Sequence, residues 1–149
     1  MAIRLRPLGA LVDLHASIFI HAKPHTINLT PFPPSYENTW WLLDQIDSFY
    51  VAIVSLYEYE RNLCMTVSAE DAPGTAVMAA PWVNSDSQKW TYELASDEYY
   101  IYKSKAGHVL SCQSYQKGAN LVLGQKMDGQ HWIITDDQNA QFAKSSLSG

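Results

Sequence analysis

Charge is scarce in this sequence: Asp, Glu, Lys and Arg make up only 17% of the 149 residues, and the formal net charge is −5. Phosphate-backbone binders cluster Lys and Arg into a basic stripe interleaved with aromatics, so the composition disfavours nucleic acid as a partner. Cysteine is equally sparse. Cys64 and Cys112 are too few for a disulfide framework and lack metal-ligand spacing. No run reaches the roughly 18 apolar residues that a membrane helix needs, and no apolar stripe at helical spacing lasts three turns. The stretch LLDQIDSFYVAIVSLY has the composition of a helix, but its Val, Ile and Tyr content favours strand. Catalytic signatures are missing too: there is no G-x-S-x-G elbow, phosphate-cradling Gly loop, H-E-x-x-H or Cys/His nucleophile pair. The carboxylates at Asp71, Asp86, Asp97, Glu98, Asp128, Asp136 and Asp137 fall in turns, so no enzyme and no cofactor is expected.

The opening run MAIRLRPLGALVDLHASIFIHA sets two arginines before apolar residues, as a signal peptide does. Asp13 and His15 interrupt it and no small-residue cleavage site follows, so a cytoplasmic chain is expected rather than a secreted one. Asn28-Leu29-Thr30 is a glycosylation sequon only in a secreted chain, and Pro31 weakens it. The spacing His21-x-x-x-His25 makes a metal pair only on a helix, and Lys23-Pro24 lies between the two histidines, so no metal is expected. What the sequence has in quantity is apolar residues, 47% of the total, enough for one domain over 1–149 with a frayed tail at 137–149.

A pattern recurs. SDSQKWTYEL at Ser85 to Leu94 and DGQHWIITDD at Asp128 to Asp137 each place Gln, one spacer and Trp before apolar residues, with Trp90 and Trp132 separated by 42 positions (132 − 90). ENTWWLLDQI supplies a third version, in which Asn38-Thr39-Trp40 replaces Gln-x-Trp. Two short alternating segments precede each Trp: 18–20 with 26–29, 65–67 with 76–79, and 110–112 with 120–123. Leading strands stand at Phe49 to Ser55 and Tyr99 to Ser104, while Ala2 to Leu14 carries no alternation that fixes one. About twelve strands demand a closed or capped all-β architecture, because an open sheet leaves adhesive edges.

Three repeats of this length ending in Gln-x-Trp resemble the ricin-B-type β-trefoil lectins, in the style of mushroom ricin-B-like lectins. NLCMTVSAEDAPGTAVMAAPWVNSDSQKW resembles one such repeat almost end to end. The resemblance implies an all-β trefoil of three four-stranded repeats with pseudo-threefold symmetry, at about 3–45, 46–93 and 94–136. It makes Trp40, Gln88, Trp90, Gln130 and Trp132 scaffold, with the tryptophans near the axis, and leaves Trp41 facing outward to join Tyr57, Tyr59, Tyr99 and Tyr102 in an exposed aromatic surface. Galactose-binding repeats carry an Asp between the two core residues of their second strand and an aromatic after the third. Here those positions read Phe19, Thr66 and Ser111, then Thr30, Ala80 and Gly124, so a galactose pocket of that design is not expected.

The expected function is a lectin-like carbohydrate binder with an altered pocket. Trp82, Asn84 and Asp86 offer an aromatic face, an amide and a carboxylate before Gln88; Tyr115, Gln125 and Asp128 offer a similar set before Gln130. The first copy supplies His21, His25, Phe32 and Tyr36 around PFPP. The alternative, from another class, is a protein-binding trefoil: a non-catalytic accessory subunit of a larger enzyme, or a protease inhibitor presenting Lys23 or Arg61. Glycans are the expected partners, and a protein partner belongs to the alternative.

Overall fold

A computed structural model describes residues 2–10, 13–21, 23–57, 60, 62–96 and 99–135. Tyr59, Arg61, Asp97, Glu98, Asp136 and the tail at 137–149 lie outside the described residues. Among those described are twelve strands: β1 (Ala2–Pro7), β2 (His15–Ile18), β3 (His25–Thr30), β4 (Trp41–Gln45), β5 (Val51–Ser55), β6 (Leu63–Val67), β7 (Val77–Pro81), β8 (Trp90–Ser96), β9 (Tyr99–Ser104), β10 (Leu110–Cys112), β11 (Leu121–Leu123) and β12 (Trp132–Thr135). The first of them fills the stretch whose strand the sequence does not fix. Six strands close on themselves by antiparallel pairing, in the order β1, β4, β5, β8, β9, β12 and back to β1. The remaining six form three hairpins, β2–β3, β6–β7 and β10–β11. The hairpins meet one another through β3–β7 and through the isolated bridges Asn28–Asn120 and Ala76–Val122. Closure leaves the barrel without a free edge, which is how an all-β chain of this size avoids edge-to-edge association.

Three indole bonds tie the barrel to the hairpins. Trp41 Nε1 donates to the Ala16 carbonyl at 3.0 Å, Trp90 Nε1 to Met65 at 3.1 Å and Trp132 Nε1 to Leu110 at 2.9 Å. All three rings are fully buried in the main core. The outward position expected for Trp41 is therefore corrected, and so is the choice of Trp40 as the counterpart of Trp90 and Trp132. The short 3-10 turn at Glu37–Thr39 closes with Trp40 N–H donating to the Glu37 carbonyl, as the turn at Asp86–Gln88 closes with Lys89 N–H donating to Asp86. Thr39 thus aligns with Gln88 and Trp41 with Trp90. Trp40 is also fully buried, on the loop side of the strand. The exposed position expected for Tyr102 is corrected as well: it is buried beneath Tyr92 and Tyr100, and burial raises its pKa. Cys64 and Cys112 are free thiols, pushed up by burial to about 12 and about 11 respectively.

Asp71 links the β6–β7 loop to the turn between β9 and β10. Its Oδ1 accepts from Ser104 Oγ at 2.7 Å and lies 2.8 Å from His108 Nδ1, and its Oδ2 accepts from Ala106 N–H at 3.0 Å. Burial works to raise this carboxyl, but the bonds from Ser104, Ala106 and His108 outweigh it and hold the pKa below the usual carboxylate range. Ser104 donates to the carboxylate rather than to the imidazole, so the trio is a staple and not a nucleophile with its base. Asp71→Ala is expected to cost about 2 kcal/mol, the scale of bonds to a charged acceptor. Urea denaturation measures it, and a loss under about 0.5 kcal/mol, typical of plain surface changes, would overturn the staple.

Candidate functional site

A hollow with a volume of about 730 Å³ opens beside the first hairpin. One wall is the segment just after β2, where Phe19 and Ile20 are 41% and 37% exposed; the facing wall is the loop at 31–38, whose Tyr36 is 50% exposed. Large rings left this open on a small domain form a ready apolar platform. Phe32 and Tyr36 pack with ring centroids 4.9 Å apart, and His21 sets its edge to Phe19 at 5.6 Å. Polar side chains also line the cleft, Ser35, Glu37 and Tyr57 among them, and several others are committed to the fold. Asn38 Nδ2 donates to the Ile18 carbonyl at 3.0 Å, which leaves its Oδ1 as an acceptor. Thr30 Oγ1 lies 2.6 Å from Ser17 Oγ. Asn28 spends its amide on Gly118 and Asn120 and its Oδ1 on Thr26, so the nitrogen of the sequon is engaged inside the fold.

The loop wall is propped from the barrel. Trp40 Nε1 donates to the Pro34 carbonyl at 2.7 Å, and Arg4 Nη2 donates to the Phe32 carbonyl at 2.7 Å. The Arg4 guanidinium also lies 5.9 Å from the Trp40 ring centroid and sends Nε to Thr39 Oγ1 at 3.3 Å, while Thr39 Oγ1 donates to the Tyr36 carbonyl at 2.8 Å. Arg4 is 5% exposed, and the Phe32 carbonyl and the Trp40 indole face are among the groups that meet its charge. Pro31, Pro33 and Pro34 fix φ along the same loop. Behind the other wall, buried His25 places Nδ1 3.2 Å from the Phe19 carbonyl and Nε2 3.0 Å from Glu60 Oε1. His25 and Lys23 together hold the Glu60 carboxyl below the usual range.

The sequence-level candidates fall elsewhere. Trp82 packs against Ala52, Val54 and Cys64, Asn84 takes a left-handed φ of 55°, and Asp86 pairs with Lys105 at 2.9 Å and Lys89 at 3.6 Å. Gln88 holds this loop, its Nε2 donating to the Pro81 carbonyl at 2.7 Å and its Oε1 accepting from Val83 N–H at 2.8 Å. Tyr115 donates its hydroxyl to Gln130 Oε1 at 2.8 Å and lays its ring against Gly9, where an added Cβ would come within 3.2 Å. Asp128 Oδ1 accepts from Gln130 N–H at 2.8 Å, and Gln125 supplies the carbonyl that closes the turn onto Asp128 N–H at 3.0 Å. A smaller hollow of about 340 Å³ beside Tyr115 includes neither Gln125 nor Asp128.

Register explains part of this. Because Ala16, Met65 and Leu110 receive the three indole bonds, the position read as Phe19 in the first hairpin is Ser17, aligned with Thr66 and Ser111. Phe19 stands two residues on, where its N–H donates to Thr26 as Ser68 donates to Ala76 and Gln113 to Asn120. The position still lacks a carboxylate, and the aromatic has moved to the rim. Among the described residues no group of three or more His, Cys, Asp or Glu is placed to hold a metal, and no helix is long and apolar enough to cross a membrane.

No family model matches the chain, and no curated protein matches it. Solved structures do. A designed threefold-symmetric protein, ThreeFoil, superposes with a TM-score of 0.77 at 18% identity, over 91% of this chain and 98% of that one. The Macrolepiota procera ricin B-like lectin in complex with lactose gives a TM-score of 0.73 at 15% identity, over 90% of this chain and 94% of that one. The Polyporus squamosus lectin, bound to the human-type influenza-binding epitope Neu5Aca2-6Galb1-4GlcNAc, gives 0.72 at 15% identity, and this chain spans 48% of its length. The fold is that of the ricin-B-type β-trefoil.

Proposed function

We infer that the chain is a non-catalytic, lectin-like carbohydrate binder, built from three four-stranded repeats around a pseudo-threefold axis, and that its site is the cleft between Phe19 and Tyr36. The observation that carries this is the pairing of exposed rings with a nearby amide acceptor in a hollow of about 730 Å³. That volume lies within the usual span of small-ligand sites. A pyranose has one face of C–H bonds, which stacks on rings such as Phe19 and Tyr36, and hydroxyls on its edge, which can donate to Asn38 Oδ1. Two of the trefoils with this fold were solved with sugars bound, lactose in one and a sialylated epitope in the other. The Trp82–Asp86 and Tyr115–Asp128 loops are the rival sites, and no observation favours the protein-binding alternative over either.

The test is a glycan array followed by titration of the best ligand. Tyr36→Ala and Phe19→Ala are each expected to weaken binding by roughly tenfold, about 1.4 kcal/mol. Trp82→Ala and Tyr115→Ala should leave it unchanged. A wild-type chain that binds no glycan at high density sinks the reading, and loss confined to Trp82→Ala or Tyr115→Ala moves the site.

A further inference from the structure

We propose that the chain is monovalent: only the first hairpin carries a carbohydrate site, and side chains of the second and third copies close the equivalent hollows. The proposal rests on the carbohydrate reading above. Its starting point is the residue two places before each anchoring tryptophan, which is Thr39, Gln88 and Gln130 in turn. Gln88 is long enough to reach both Pro81 and Val83, and so draws its own loop down onto the barrel, with a further bond from Nε2 to Thr66 Oγ1 at 3.2 Å. Thr39 is too short to do this. Its hydroxyl donates only to the nearby Tyr36 carbonyl and accepts from Arg4 Nε, while Arg4 and Trp40 take Phe32 and Pro34 from the barrel side and hold the loop as a standing wall.

The ring positions change in the same sense. Phe19 aligns with Ser68 and Gln113, and Tyr36, before the 3-10 turn, aligns with Ser85 and Met127, so neither later copy keeps the pair of facing rings. The aromatics those copies do have are turned to other work, Trp82 against the Ala52, Val54 and Cys64 cluster and Tyr115 onto Gly9 and Gln130. In the third copy the space itself is filled: Gly124 aligns with Thr30, and the Asp128 carboxylate lies over it so closely that any Cβ there would collide with it. Asp86 in the second copy is neutralised by Lys105 and Lys89. A chain with one open site occupies a glycan without bridging two, so by itself it does not cross-link glycan-bearing surfaces.

Nuclear magnetic resonance of the full, nitrogen-15-labelled chain tests this, with lactose, N-acetylglucosamine, N,N′-diacetylchitobiose, fucose and mannose as separate probes. The expected result is that at least one probe shifts the amides around Phe19, Asn28, Tyr36 and Asn38, that amides at 82–88 and 124–130 stay still, and that Tyr36→Ala raises the probe concentration needed for the same response by roughly tenfold. Shifts at 82–88 or 124–130, with or without the first set, overturn monovalency and leave the carbohydrate reading standing. A chain that responds to none of the probes loses both.

Discussion

Trp41→Ala is expected to destabilise the fold by about 3–5 kcal/mol, as much as the same change at Trp90 or Trp132. Domains of this size are held by only about 5–15 kcal/mol, so the variant sits near the edge of folding. Two losses add up. The ring is fully buried in the main core beside Leu14, Ala16 and Ile18, and truncation leaves a hollow that the closed barrel around it has little freedom to collapse. Its N–H is the partner of the Ala16 carbonyl at 3.0 Å, and a buried carbonyl without a donor costs a further amount on the order of 1–3 kcal/mol. Trp41→Phe keeps most of the ring but drops the donor, so it should fall between wild type and Trp41→Ala. Urea denaturation orders the series. A cost under about 1 kcal/mol for Trp41→Ala would show that Trp40, not Trp41, is the anchor.

That anchor also marks where sequence reading reaches its limit. In the second and third copies Gln and Trp stand at a fixed offset with no competing aromatic; Gln88, Trp90, Gln130 and Trp132 are buried, and Gln88, Trp90 and Trp132 bond to the hairpins. In the first copy two tryptophans are adjacent and Thr replaces Gln. One residue of register decides which ring points into the core, and alternation alone cannot choose when both neighbours are apolar. Only the turn at Glu37–Thr39, matched to the one at Asp86–Gln88, fixes it.

The cleft was less legible for a related reason. PFPP, Phe32 and Tyr36 are visible as a stiff aromatic loop, but what makes it a wall is Arg4, 28 residues from Phe32 and 35 from Thr39, in a stretch with no readable strand. Gly118 joins the opposite rim through Asn28, 90 residues away. Contacts at such separations leave no local periodicity. Trp82, Asn84 and Asp86 put an aromatic, an amide and a carboxylate within five residues, yet a tight turn with a hydrophobic foot selects the same residue types. In the fold those residues meet the Cys64 cluster, a left-handed backbone and two lysines.

Burial of His15 beside Arg4 makes the fold sensitive to acid. His15 is 4% exposed, and burial first, then the positive charges of Arg4 and Arg6, lower its pKa from 6.5 to about 4 against the opposing pull of the Asp13 carbonyl. The unfolded chain takes up a proton near pH 6.5 that the folded chain refuses until about pH 4, so the stabilisation is complete above 6.5 and is lost as pH falls through that window. The difference in pKa corresponds to about 3 kcal/mol, all of it gone below about pH 4. The depressed carboxylates Asp71, Glu60, Asp86 and Asp47 act in the same direction but lower down, since their stabilisation is lost only as pH falls below the ordinary carboxylate range. His15→Gln has no proton to take up, so its unfolding free energy should lose this part of the pH dependence between 6.5 and 4. Parallel urea titrations of wild type and variant at steps across the window isolate that part from the other histidines. Equal slopes in the two chains would mean that His15 accepts its proton in the folded state as readily as in the unfolded one.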